Sequence, residues 1–228
     1  MANVIAKCSA CHAADFGGAT MEEDPAFGSY YAANLTGGKG GKTANYTPTD
    51  WTRAIRHGVA PDGRTLVFMP AIEYNKMTDQ DLGALIAHLQ TRPPVDREVP
   101  KNKPGPVARA LFVMGAFPLV PAHFIDHAKP STPSNVPART AEYGDYIAHV
   151  GGCAGCHGPA LNGENGAPGA PGITPAFLTG WTEADFFRAL REGKRPDGRQ
   201  LNAAMPWAFT ARMTDLEIGA TWLYLQSL

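Results

Sequence analysis

The chain has 228 residues, 18% of them charged, and a formal net charge of −1 at pH 7. That balance excludes the strongly basic face by which nucleic acid is bound, and the length suffices for one large domain or two small ones. Glycine (25) and proline (20) are abundant, which predicts short helices joined by long, turn-rich loops.

The first elements come early. "KCSACHAAD" (Lys7 to Asp15) holds Cys8, Cys11 and His12, and no signal peptide is visible ahead of it. A glycine-rich loop with "NLTGGKG" follows. Then "TPTDWTRAIRHG" predicts a helix, because Thr47 is followed three residues later by Asp50, a near variant of the capping box. Pro48 falls at the first helical position, where a missing N–H costs nothing. "PDGR", ending at Arg64, and the pair Met69–Pro70 come next. "MTDQDLGALIAHLQ", with Thr78 and Asp81 at its start, predicts the last helix of a first domain over 1–90.

Residues 91–140 read as a long Pro-rich connector. It carries +4, against −2 for residues 1–90 and −3 for 141–228. The charge suits either docking to an acidic partner or a solvated linker, and the linker reading is preferred. Its apolar stretch, Val107 to Ile125, is broken by Pro118 and Pro121 and contains Arg109 and His123. A membrane span needs about 20 predominantly apolar residues, so this stretch is expected to lie against one or both domains instead.

The second domain, 141–228, repeats the order of the first. A leading helix "TAEYGDYIAHVGG" runs into "CAGCH" (Cys153, Cys156, His157), then a glycine-rich loop. "TEADFFRALREG" matches "TPTDWTRAIRHG", "GKRPDGRQLNAAMP" matches "GVAPDGRTLVFMP", and "MTDLEIGATWLYLQ" matches "MTDQDLGALIAHLQ". Thr182 with Asp185 and Thr214 with Glu217 repeat the cap signals. From first cysteine to helix-ending glycine is 50 residues in one copy (Cys8 to Gly58) and 40 in the other (Cys153 to Gly193). The first loop therefore carries about ten extra residues. Gly83 and Gly219 hold matching places inside the last helices, which predicts close approach of another helix there. No run of alternating strand residues stands out, so the expected fold is all-α, two tandem helical domains joined by the long Pro-rich connector.

The haem assignment rests on the cysteines. All four sit in the two CxxCH strings, leaving none for an independent disulfide, a nucleophile or a separate metal ligand. A CxxCH is open to four readings: a disulfide, a redox pair, half a zinc site, or the covalent seat of a haem. Zinc draws four thiolates into one compact unit, whereas these pairs belong to separate complete repeats and each is followed by histidine. A redox pair wants a βαβ context, which is absent. Haem accounts for every element. Sulfurs at i and i+3 lie along one side of a helical turn, placed for thioether bonds to one porphyrin, with the next histidine under the iron.

For the opposite face, Met69 and Met205 hold equivalent places, each before proline, and His/Met pairs are common in cytochromes c. Met77 and Met213 are also matched; they precede helix caps and read as packing residues, though they compete. His57, His88, His123, His127 and His149 lack a counterpart histidine in the other repeat and read as surface or core residues. Arg64 and Arg199 end each PDG turn. Either they are solvated turn residues or they bind a haem propionate through a charge-assisted pair.

With these motifs in place, the chain resembles dihaem cytochromes c built from two class I cytochrome c domains, and is similar to the cytochrome subunits that accept electrons from periplasmic dehydrogenases. The resembling features are CSACH and CAGCH, "NLTGGKG", "GITPAFLTGWTEADF", PDGR, the Met-Pro pairs and "MTDxxxGAxxxxLQ". The resemblance implies two covalently attached haem c groups, His/Met ligation (His12 with Met69, His157 with Met205), electron transfer between redox protein partners, and maturation in the bacterial periplasm. The first repeat departs from it, having only "MANVIAK" where the second has a full leading helix. A removed export signal or membrane anchor is expected there in the native form.

An electron carrier is therefore the expected function, with no catalytic residues. The competing readings are a dihaem peroxidase, a thiosulfate dehydrogenase-like enzyme, or a sensor. Each needs an open or displaceable haem ligand, or, for the thiosulfate enzyme, a further cysteine that this chain lacks.

Overall fold

A computed structural model describes residues 5–117, 119–129, 132 and 136–228. Residues 1–4, Pro118, and 130, 131 and 133–135 of the connector lie outside the described residues, so the expectations for the chain's first residues and for part of the Pro-rich stretch fall there. Two compact units result. One comprises residues 7–131; the other comprises 132–228 together with Ile5 and Ala6. Residues 91–131 thus belong to the unit of the first repeat.

In the first unit, α1 (Cys8–His12) leads into an antiparallel hairpin of β1 (Ala19–Asp24) and β2 (Gly28–Ala32). Helices α2 (Pro48–His57), α3 (Ala71–Tyr74) and α4 (Asp79–Gln90) follow. The strand β3 (Lys103–Pro104), helix α5 (Pro106–Val113) and a 3-10 turn (Pro121–Phe124) come from the connector. The second unit contains α6 (Ala141–Val150), α7 (Cys153–His157), α8 (Glu183–Glu192), α9 (Trp207–Thr210) and α10 (Asp215–Gln226).

The all-α expectation is corrected by the small sheet, ordered β1-β2-β3, with β3 paired to β2 through Gly28↔Pro104 and Ser29↔Lys103. Sequence alternation misses it for a physical reason. The four central residues of β1 are all exposed, and the pairing register shifts between Thr20 and Glu22, at Met21. A bulged strand with no buried face shows no period of two. The turn is fixed by Asp24, whose carboxylate accepts N–H bonds from Ala26 (2.8 Å) and Phe27 (2.6 Å). β2 does alternate, burying Gly28, Tyr30 and Ala32.

All four predicted threonine caps are made, with side chains accepting from the backbone of Asp50, Asp81, Asp185 and Glu217. A matched arginine then ties each middle helix to the start of the last one. Arg56 in α2 donates to the Met77 carbonyl (2.8 Å) and pairs with Asp79 (2.8 Å). Arg191 in α8 donates to the Met213 carbonyl (3.0 Å) and pairs with Asp215 (2.5 Å). Met77 and Met213 are themselves buried in the core.

The core of the second unit is α6 against α10, burying Tyr143, Ile147 and Val150 with Ile218, Ala220 and Leu225. Each large aliphatic side chain so buried contributes about 1.5–3 kcal/mol. The close approach predicted for Gly83 and Gly219 lies elsewhere. Among the described residues, a Cβ at Gly83 would meet nothing within 4 Å, and one at Gly219 would meet first the Arg139 side chain. The glycine that permits contact is Gly144 of α6, where a Cβ would strike the Ala220 carbonyl of α10.

Candidate functional site

The two CxxCH strings fold alike. Each forms a five-residue helix entered through a left-handed residue, Lys7 (φ 51) or Gly152 (φ 70). Each is left through a second residue of positive φ, Ala13 (φ 63) or Gly158 (φ 84). A third follows at Phe16 (φ 59) or Leu161 (φ 57), both buried. Only Gly takes such φ values freely, and others are held there at about 1–3 kcal/mol by surrounding structure. The path is kept even where Lys7 and Ala13 replace glycine, so it is imposed by what the loop must present. The next turn closes identically, Gly18 N–H to the His12 carbonyl (3.0 Å) and Gly163 N–H to the His157 carbonyl (2.8 Å).

That loop holds the histidines. His12 Nδ1 lies 2.7 Å from the Ala33 carbonyl, and His157 Nδ1 lies 2.8 Å from the Pro171 carbonyl. A carbonyl can only accept, so Nδ1 carries the proton in both rings and Nε2 keeps its lone pair. Burial pushes the His12 pKa down, favouring the neutral form that ligates iron. The acceptor lies 21 residues after His12 but only 14 after His157. The β1–β2 hairpin is inserted in that interval, and accounts for most of the longer first loop.

In the first unit the acceptor is further anchored by the connector. Asn34, fully buried, donates to the Val95 carbonyl (2.7 Å) and the Arg97 carbonyl (3.2 Å) and accepts from Thr36 N–H (2.9 Å). Val95 N–H in turn donates to the Thr36 hydroxyl (2.9 Å). Arg97 pairs with Asp15 (2.8 Å) and donates to the Gly18 carbonyl (2.9 Å). In the second unit Gly172 follows Pro171, with no amide side chain to make such a bond.

Cys8, Cys11, Cys153 and Cys156 form no disulfide. Burial pushes Cys8 up to about 12 and raises Cys11, so neither is the ready thiolate of a redox centre. Among the described residues, no three His, Cys, Asp or Glu side chains gather to hold a metal ion. Tyr74 of α3 lies near the Cys8 and Cys11 thiols, and Tyr224 of α10 near Cys153.

Met69 and Met205 are half-buried and enter their short helices in the same way. The following prolines have φ/ψ of −75/54 and −81/52, and the methionine carbonyls accept from Ala71 (2.7 Å) and Trp207 (2.8 Å). Phe68, at φ 60, packs its ring on Tyr30 (4.5 Å) and Phe117 (5.4 Å). Arg64 and Arg199 sit exposed on turns closed by the bridges Val59↔Thr65 and Lys194↔Gln200. Arg199 pairs with Asp197 (2.6 Å), and Arg64 lies 3.7 Å from Asp62. Arg64 is also near Tyr46, whose ring packs edge-on against Trp51 (5.5 Å).

The residues present fit a covalently bound haem. Two thiols on one helical turn precede an imidazole whose Nδ1–H is taken by a carbonyl, the outer arrangement that orients a metal-bound histidine and raises its basicity. Trp51 Nε1–H is buried without a partner among the described residues, a donor that a carboxylate of the group would satisfy. Sequence reasoning missed Trp51, Asn34, Arg97 and the two carbonyls. Only the Arg56/Arg191 match was legible, as the same arginine in "RAIRHG" and "RALREG".

These features define two c-type haem sites. Two family models match the chain: cytochrome c oxidase, cbb3-type, subunit III over residues 2–89, and cytochrome c over residues 141–228. The chain thus carries two cytochrome c domains and is a dihaem cytochrome c, with two covalently bound haem c groups and a role in electron transfer. It is similar to the fructose dehydrogenase cytochrome subunit of Gluconobacter japonicus, 35% identical over 44% of this chain and 22% of that protein. It is also similar to the cytochrome c subunit of the quinone alcohol dehydrogenase of Gluconobacter oxydans (26% identity, 64% and 31%). A third relative is the gluconate 2-dehydrogenase cytochrome c subunit of Pantoea cypripedii (36%, 36% and 19%). The matches span less than a third of each relative's own length. Among the described residues, no helix is long and apolar enough to cross a membrane.

Proposed function

We propose that the chain relays single electrons from a dehydrogenase to a downstream acceptor and performs no substrate chemistry of its own. Cys8 and Cys11 would hold one haem, with His12 Nε2 and Met69 as the ligands to its iron. Cys153, Cys156, His157 and Met205 would do the same for the other. Haem iron supplies the one-electron couple when bound. The chain's residues then orient the group, exclude water from it and set its potential. Ala33 and Pro171 fix the imidazoles through Nδ1, while Trp51 and Arg64 are placed to bind a propionate in the first unit, with Arg199 as the counterpart of Arg64 in the second. The setting is the periplasm, and the donor and acceptor are redox proteins.

The observation that carries this reading is the duplicated histidine-to-carbonyl bond, made in both repeats despite loops of different length. Carbon monoxide added to the fully reduced protein tests it. Neither haem is expected to bind the gas, because both irons are closed on both faces. Met69→Ala and Met205→Ala should each open one haem, seen as gas binding and a spectral change at that haem alone. Rapid binding by the unaltered protein, or a variant with an unchanged spectrum, would contradict the ligand set.

A further inference from the structure

Away from the haem sites, two histidines meet on the first unit. His57 closes α2, and His127 lies just beyond the 3-10 turn of the connector. Their Nδ1 atoms stand 3.1 Å apart, with the rings tilted at 40° and their centroids 5.2 Å apart. His127 Nε2 lies 3.0 Å from the Ala122 carbonyl. That carbonyl fixes the proton on Nε2, so the lone pair of His127 Nδ1 points at His57. Both rings reach solvent.

We propose that His57 and His127 form a two-imidazole site for a divalent transition-metal ion such as zinc. Two nitrogens at about 2.0–2.1 Å from a tetrahedral ion stand roughly 3.3 Å apart, within a few tenths of the observed spacing. Imidazole suits zinc, copper and nickel. The bond from His127 to Ala122 is the outer-shell contact that metal-bound histidines make through their second nitrogen. His57 now donates Nδ1–H to His127. On binding, its proton moves to the solvent-facing Nε2, and no net proton is released. Burial, His127, Arg56 and Arg53 lower the His57 pKa, which keeps the ligating form. Arg56 is neutralised by Asp79, and Asp126 adds a negative charge beside His127. Arg53 is the opposing charge. The ion's remaining positions face water, as in an open rather than a closed site. The ion would tie the end of α2 to the connector.

Equilibrium dialysis of the holoprotein against zinc, with metal analysis, tests this. One zinc per chain beyond the haem iron is expected near neutral pH. His57→Gln and His127→Gln should each weaken binding by more than about tenfold, since loss of a ligand costs no less than loss of an outer-shell partner. Unchanged haem absorption in the variants reports that the fold is intact. Absence of the extra zinc, or zinc retained undiminished by both variants, would overturn the proposal.

Discussion

Gly144 and Gly83 show how the same residue type acts in opposite ways. At Gly144 the α10 backbone leaves no room for a methyl group, so Gly144→Ala should destabilise the second unit by about 1–3 kcal/mol through overpacking. At Gly83 space is open, and Gly83→Ala should stabilise by about 0.5–1 kcal/mol through helix propensity. Thermal melts of the two variants check both signs. Equal effects would mean that the α6–α10 crossing is misplaced. Nothing among the described residues explains why Gly83 is glycine. Asp15 illustrates charge at the same scale. Its hydrogen bond to Arg97 holds its carboxyl below the usual value. The stabilisation is therefore present above the ordinary carboxylate pKa, and is lost as pH falls through the depressed folded value. The pair is exposed and its worth is small. Asp15→Asn should leave stability at neutral pH nearly unchanged and flatten part of its acid loss, measured by melting temperature against pH. A slope as steep as that of the unaltered protein would remove this role.

The elements divide by how much of their cause is local. The caps at Thr47, Thr78, Thr182 and Thr214 were legible because a cap and its partner lie three residues apart. The CxxCH turns were legible because ligand and attachment are consecutive. The hairpin was not, since β1 buries no face and its bulge destroys the period. The strap formed by Val95 and Arg97 was hidden for a different reason: its partners Asn34 and Asp15 lie some 60 to 80 residues away. The strap yields a prediction. Asn34→Ala removes the amide that holds the Ala33 segment and strands two carbonyls, at about 1–3 kcal/mol. Loosening the acceptor weakens the His12 Nδ1–H bond and lowers the basicity of that ligand. The midpoint potential of the first haem should rise while that of the second stays fixed, as read by redox titration. Shifts of equal size at both haems, or at neither, would show that the strap does not act on His12.

Across the whole molecule, one unit has been used twice with different support. Each copy repeats the histidine–carbonyl bond, the Met-Pro entry into a short helix and the arginine tie between helices. Only the first carries the sheet and the strap, and only the second has a leading helix among the described residues. The duplication made the haem chemistry readable from sequence, because matched residues in both copies separate constraint from accident. The asymmetry was unreadable, because it comes from contacts that one copy alone makes. It also gives the two sites different surroundings.

Attachment of two haems through sulfur underlies every one of these statements. The most direct measurement is the intact mass of the matured chain under denaturing conditions, which strip any group not covalently held. The predicted result is the mass of the polypeptide plus two haem groups, falling by one when Cys153 and Cys156 are both replaced by alanine. A mass equal to the bare chain, or a gain of two haem groups that survives loss of those cysteines, would contradict the account.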